Sequence, residues 1–314
     1  MKKILAISLF CFASVVLNAQ TAENSPYKRH IDKLASEEFA GRKAATKGDT
    51  LAVNYIVSEL QRIQGVELLG DNGLQVVPFE EKVRGNADGL KIPKTTFNVA
   101  AMVEATETNN PSGEIVVIGA HYDHVGIKTV DGEGKVCYGA DDNASGVAYL
   151  IELARKIAEE RENLKRDVVF VFFGAEELGL IGSGYFANNP LVPAEKIKVM
   201  VNFDMLGRMN AKGLTVRGVG TAKEAVYMFA ALPNPDKLEL IWEMRGKGPT
   251  DYASFYRKGI PAFSFSTRTH KDYHTPADTP DKINYEGMDM ADAYIMSFVK
   301  QLIFGAPVLT YQEQ

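Results

Sequence analysis

The 314-residue sequence predicts an α/β fold, a single domain with a mixed, mostly parallel central sheet flanked by helices on both faces. Three observations predict it. Short apolar runs rich in β-branched and aromatic residues recur between turn signals. Amphipathic helical stripes alternate with them. Polar groups stand again and again just beyond the carboxyl ends of the runs, where open α/β sheets bind ligands.

The elements follow in order. Asp49-Thr50 is read as the cap of a helix whose Ala52, Ile56, Leu60 and Ile63 recur at helical spacing. A strand is expected at Phe97–Val103. After Pro111-Ser-Gly113 comes the apolar run 114–120, read as a buried strand, which places His121 at its carboxyl end. The loop Gly139-Ala-Asp-Asp-Asn143 opens a second helix, with Val147, Leu150, Ile151, Ala154 and Ile157 on its core face. The run 167–174 leads to Glu176-Glu177, and the run 197–203 ends at Asp204. Strands at 213–217, 238–242 and 261–266 follow, then a helix striped by Met288, Ala291, Ile295, Phe298 and Leu302.

Composition narrows the class. Hydrophobic residues make up 46% of the chain, too many for general disorder, and a net charge of -5 with a pI near 5.7 argues against a nucleic-acid footprint. No zinc-finger spacing, phosphate-binding glycine loop or repeat is present. Residues 1–19 have the basic start and short apolar core of an export signal, with cleavage after Ala19 and Leu17 larger than usual upstream of it. A periplasmic or secreted domain over 20–314 is therefore expected. Cys11 lies behind bulky Phe10, which disfavours a lipoprotein anchor, and Cys137 then has no partner for an intrachain disulfide. No later run reaches the ~20 apolar residues of a membrane span. Nothing in the sequence sets the oligomeric state.

His121, Asp142, Glu177, Asp204 and His274 fit the ligand set of a two-metal hydrolase. Imidazoles and carboxylates without thiolate suit zinc, with manganese or cobalt as substitutes. Three carboxylates and a bridging hydroxide balance two divalent cations, and Asp142 is the expected bridge. Glu176, beside a ligand but unligated, is the expected general base, taking a proton from metal-bound water and relaying it to the leaving amine. The Glu-Glu pair directly follows a strongly apolar strand, which sets it apart from ordinary solvated surface.

The segments Gly119-Ala-His-Tyr-Asp-His124, Gly139-Ala-Asp-Asp-Asn-Ala-Ser-Gly146, Ala175-Glu-Glu-Leu-Gly179, Asn202-Phe-Asp-Met205 and Tyr273-His-Thr-Pro-Ala-Asp278 resemble the successive motifs of the di-zinc aminopeptidases, metallopeptidase family 28. Leu34-Ala-Ser-Glu-Glu-Phe-Ala-Gly-Arg42 resembles an opening segment of the same enzymes. The resemblance implies a peptide substrate and two zinc ions, one held by His121, Asp142 and Asp204, the other by Asp142, Glu177 and His274. It implies that Asp123 accepts the second ring N–H of His121, that Glu176 is the base, and that a cis peptide follows Asp142. Tyr273 precedes His274 as a tyrosine does in the carboxypeptidase branch and is the expected oxyanion donor. Where the leucyl aminopeptidase branch has a Ser-Asp-His segment, this chain has Lys247-Gly-Pro-Thr-Asp-Tyr252.

The expectation is an exported aminopeptidase favouring apolar N-terminal residues, with Met244, Tyr252, Phe255 and Phe265 near its pocket. Alternatives are a glutaminyl-cyclase-like transferase with one zinc and a metal-free receptor-type binding module. A carboxypeptidase would need a cationic clamp, for which Arg208 and Arg268 are the candidates. His124 and His270 are expected to be hydrogen-bonders rather than ligands, Asp141 to orient its loop, Asp251 to cap a helix and Asp278 to form a turn. Asn143-Ala-Ser145 is taken as an accidental glycosylation sequence, because it overlaps the metal loop.

Overall fold

The computed structural model describes residues 23–82, 90–211 and 213–314. The expected leader, 1–19, lies outside these residues. Helix α1 (Lys28–Leu34) is followed by α2 (Lys47–Gln61). The cap of α2 is Thr46, whose hydroxyl accepts the Asp49 amide at 3.5 Å while the Asp49 carboxylate accepts the Ala45 amide at 2.9 Å. Asp49 thus belongs to the first turn rather than preceding it, completing a reciprocal cap.

Strands β1 (Glu67–Leu68), β2 (Leu74–Lys82) and β3 (Lys91–Val103) open the sheet, and β4 (Ile115–His121) is buried along its whole length. The hairpin β5 (Ile127–Val130) and β6 (Glu133–Val136) occupies the stretch between His121 and Asp142. Helix α3 (Gly146–Glu159), β7 (Asp167–Phe173), α4 (Ile181–Asn188), β8 (Ile197–Phe203) and β9 (Leu214–Arg217) follow. Then come α5 (Ala225–Ala231), β10 (Leu240–Glu243), α6 (Tyr252–Tyr256), β11 (Ala262–Ser266) and α7 (Tyr285–Lys300).

The main sheet runs β1-β3-β7-β4-β8-β11-β9-β10, with β2 also paired to β3. It is mixed, and its centre, β7-β4-β8-β11, is parallel. Side chains alternate between two packed faces. Val116, Ile118 and Ala120 of β4 pack in one cluster with Ile31 of α1, Ile56 of α2, Leu150 of α3 and Ile295 of α7. Ile115 and Val117 face the other way, in a cluster with Phe186 of α4 and Phe255 of α6. Full burial of such side chains contributes about 1.5–3 kcal/mol each, which is why these runs cannot lie at an edge.

The parallel centre decides where function can sit. His121 is level with Phe173, and Phe265 with Phe203, so four carboxyl ends open on one rim. No described helix is long and apolar enough to cross a membrane. Cys137 is buried and is free among the described residues.

Candidate metal centre

Each strand of the parallel centre delivers its group to that rim. His121 closes β4, Asp204 follows β8, Glu176 and Glu177 follow β7 in a short turn, and His274 comes from the loop after β11. The chain turns sharply to do so. Ala175 (φ 55°), Met205 (φ 62°) and His274 (φ 56°) are left-handed, at a cost on the order of 1–3 kcal/mol each that the surrounding packing must offset.

Asp142 joins the rim from the loop before α3. The peptide between Asp142 and Asn143 is cis, as the resemblance implied. Asn143 is fully buried; its Nδ2 donates to the Phe203 carbonyl at 3.0 Å and its Oδ1 accepts the Met205 amide at 3.1 Å. Those bonds fasten the Asp142 loop to the Asp204 strand end and leave Asn143 no surface for a glycan. Asp278 does more than shape a turn, since its Oδ2 accepts the amides of Asp141 and Asp142 at 3.0 and 3.1 Å. Asp141 orients the loop as expected, its Oδ1 taking the Gly207 amide at 2.6 Å while Oδ2 lies 3.1 Å from His270 Nε2.

The two oxygens of Asp142 face different partners. Oδ1 lies 3.4 Å from His121 Nε2, which is itself 3.4 Å from Asp204 Oδ1. Oδ2 lies 3.0 Å from His274 Nε2 and 3.4 Å from His124 Nδ1. Glu177 closes the second group, with Oε2 at 2.9 Å from His274 Nε2 and Oε1 at 3.0 Å from His124 Nδ1. Ligand atoms can be chosen so that His121, Asp142 and Asp204 form one metal-sized group and His124, Asp142, Glu177 and His274 another.

These residues fit metal ions by a simple geometric test. Four ligands at about 2.0–2.1 Å from a tetrahedral ion are separated from one another by about 3.3 Å. The distances here, 2.9–3.4 Å, scatter around that value. Moreover, Asp142 Oδ2 and His274 Nε2 are buried and make no hydrogen bond despite their closeness. The electrostatics agree. Burial pulls the His121 imidazole down, but Glu176, Asp123, Asp142 and Asp204 outweigh it and hold its pKa well above the usual value; His274, against burial, is pushed up to about 9 by Asp142 and Glu177. Burial raises the Asp142 and Glu177 carboxyls, yet the imidazoles hold both below the carboxylate range. The cluster therefore demands positive charge, which protons or divalent cations can meet.

Glu176 contrasts with its neighbour. Burial, reinforced by Asp251, Asp204 and Asp123 and opposed by His121, pushes its carboxyl well above the usual range, the direction that suits a proton acceptor working near neutrality. Asp251 stands at the N-cap position of α6, as expected, but makes no side-chain cap bond; it is fully buried, and its carboxyl is pushed up to about 7, chiefly by burial. The sequence offered no signal for this burial, which brings Asp251 among groups from distant segments such as His121 and Asp204.

Asp123 is placed as expected but bonded differently. Its carboxylate lies 3.8 Å from His121 Nδ1, beyond hydrogen-bond reach, whereas its backbone carbonyl is 3.2 Å away. His124, expected to be a bystander, sits inside the second group. Its signal was present in the His-x-Asp-His spacing, which turns one more imidazole toward the rim.

Arg42, from the opening segment, is fully buried and donates to four carbonyls, those of Leu34, Tyr122, Tyr138 and Gly139, at 2.6–2.9 Å. It thereby spans both ligand-bearing loops. Tyr273 stacks on the His274 ring at 3.8 Å. Its phenol is held well above its usual pKa by burial and by Asp142 and Glu177, so it remains an O–H donor. Arg208 is committed to Asp272 at 2.6 Å and faces Asp278 at 3.7 Å.

A cleft of about 950 Å³ opens onto Glu177, His124 and His274, with Phe79, Ile92, Ile127, Leu178 and Ile181 among its walls. The expected pocket residues are elsewhere. Phe255 and Phe265 are buried in the core, and Met244 and Tyr252 line a separate depression with Arg245 and Lys247.

Two acidic, imidazole-lined groups sharing one aspartate at the carboxyl rim of an α/β sheet define a metallohydrolase. Residues 98–299 match the model of Peptidase family M28, and the chain belongs to that family of zinc-dependent peptidases. A probable leucine aminopeptidase of Arthroderma otae is 26% identical over 275 residues, 82% of this chain and 67% of that protein. Leupeptin-inactivating enzyme 1 of Streptomyces exfoliatus is 30% identical over 238 residues, 68% of this chain, and the chain spans only 50% of its length. Among solved structures, a zinc aminopeptidase from Bacillus subtilis superposes with a TM-score of 0.71 at 16% identity, covering 92% of this chain and 98% of that one. A glutaminyl cyclase from Bacteroides thetaiotaomicron has a TM-score of 0.63 at 18% identity, covering 88% and 96%. At those identities the two structures speak for the fold.

Proposed function

We propose that this chain is an exported di-zinc aminopeptidase that hydrolyses unblocked N-terminal residues, preferentially apolar ones. The carrying observation is the split of Asp142, with Oδ1 toward His121 and Asp204 and Oδ2 toward His274 and Glu177, which suits one ion on each side. His121, Asp142 and Asp204 would hold one zinc, and Asp142, Glu177 and His274 the other. When bound, such ions would supply Lewis-acid polarisation of a carbonyl and lower the pKa of bound water toward about 7. Glu176 accepts the proton and returns it to the leaving amine, and Tyr273 donates a hydrogen bond to the developing oxyanion. Asp123 holds the backbone on which Glu176 and Glu177 stand.

Polarity of cleavage follows from charge. Glu176 and Asp204 place carboxyl groups beside His121 that can receive a substrate ammonium, while Arg208 is engaged with Asp272 and Asp278 and offers no free clamp for a terminal carboxylate. The apolar cleft walls favour apolar side chains. The fold also supports a glutaminyl-cyclase-like reading, but the complete His121-Asp142-Asp204 group favours two ions over one.

One peptide, prepared free, N-acetylated or C-amidated, tests the reading. Acetylation should abolish cleavage and amidation should leave it. Cleavage that survives acetylation but not amidation overturns the polarity, and cyclisation of N-terminal glutamine with one zinc per chain overturns the hydrolase reading. Export through residues 1–19 is tested by sequencing the N-terminus of the mature protein.

A further inference from the structure

We propose that His124 is itself a metal ligand, the fourth protein donor of the group formed by Asp142, Glu177 and His274, so that the two ions are held unequally. This deepens the two-metal reading above and rests on it.

The ring is buried and closely confined. His124 is 1% exposed, and its backbone amide donates to the Arg42 carbonyl at 3.3 Å. Gly139, left-handed at φ 60°, leaves room for it: a Cβ there would come within 2.6 Å of His124 Cγ and 2.2 Å of the Asp142 carbonyl oxygen. The loop carrying Asp142 is therefore shaped around the imidazole. On its other side the ring meets His274 edge to face at 5.4 Å.

Its polar contacts point one way. Nδ1 faces Glu177 Oε1 at 3.0 Å and Asp142 Oδ2 at 3.4 Å, the spacing of neighbouring ligands about one ion, while Nε2 is buried with no partner. A space-filling ring would need no nitrogen there. A ring that only oriented Glu177 would need to meet Glu177 alone, whereas Nδ1 faces both carboxylates that also face His274 Nε2.

The other group, His121, Asp142 and Asp204, has three protein donors. Sites with four protein ligands are characteristically closed and retentive, and sites with three keep a position for water or substrate. The ion on the His124 side is thus the retained one, and the ion on the His121 side, nearer Glu176, is the exchangeable one.

The test uses the full mature chain, its metal removed and restored as Co2+. Wild type should bind two equivalents in sequence, the first at least ~100-fold tighter, since even outer partners of a ligand are worth 10–100-fold. His124→Phe and His124→Gln should each change the visible spectrum of the first cobalt and weaken it at least 100-fold, leaving the second spectrum unaltered. Unfolding of the metal-free variants checks that the fold survives, and His124→Gln serves if His124→Phe does not fold. An unchanged first spectrum in a folded variant overturns the ligand assignment, even with weaker binding. Wild type binding fewer than two ions instead overturns the two-metal reading itself.

Discussion

The carboxylate of Asp123 accepts the backbone amide of Glu176 at 2.9 Å. Its second oxygen takes the amide of Glu177 at 3.3 Å. One side chain just past β4 therefore sets the turn in which Glu176 and Glu177 stand side by side. Asp123→Asn can offer only one oxygen and turns an N–H₂ toward an amide donor. It should lower kcat and zinc affinity together, by about 10–100-fold. Steady-state kinetics with metal analysis checks this, and unchanged values for both would refute the positioning role.

On the proposed reading, the adjacent glutamates divide their labour. Glu176→Gln should retain both metals and lose about 10²–10⁴-fold in kcat, the usual worth of a general acid–base group. Glu177→Ala should lose metal directly, because Glu177 closes the second group. Equal metal loss in the two variants would show that the roles are wrongly divided.

Arg42 ties the opening segment to both ligand loops through four carbonyl acceptors. Arg42→Met leaves these buried oxygens without their donor, at about 1–3 kcal/mol for each that finds no water. Chemical denaturation of the metal-free protein should show a loss of several kcal/mol. Arg42→Lys should recover only part, since an ammonium has three donors and no planar fork. Wild-type stability in Arg42→Met would remove Arg42 from the scaffold of the site.

Asp49 carries a pH signature. Burial pushes its carboxyl from 3.8 up to about 6, although Tyr122, Ala45 and Thr96 donate hydrogen bonds to it. A folded pKa above the unfolded one gives stability that is complete below about pH 4 and lost as pH rises through about 6, on the order of 3 kcal/mol for a two-unit shift. Asp49→Asn does not titrate. Its stability relative to wild type should therefore improve between pH 4 and pH 7, measured by denaturant unfolding of the metal-free proteins. A pH-independent difference would refute the shift.

Much of this molecule was legible along the chain because its decisive elements are local. Four buried strands, at β4, β7, β8 and β11, declare themselves as short apolar runs, and parallel strands place their carboxyl ends together, so His121, Glu176, Glu177 and Asp204 could be assigned to one rim before any coordinates. The hairpin β5–β6 was not legible, since its side chains are largely exposed and carry no apolar alternation. The aromatic residues assigned to the pocket failed for the opposite reason: apolar side chains near a site pattern look alike whether they line a cleft or fill the core beneath it.

The sequence by itself determined the fold class, the family and the chemical identity of the candidate metal-binding groups, because spacing and residue type are properties of the chain. Tertiary structure alone decided which atom faces which. It sent the two oxygens of Asp142 to different partners, moved the contact of His121 from the Asp123 carboxylate to its carbonyl, buried Asp251 beside Glu176 and turned His124 inward. Those outcomes depend on groups brought from distant segments to within about 3–4 Å, where hydrogen bonds and ligand bonds are made, and no local pattern encodes such distances.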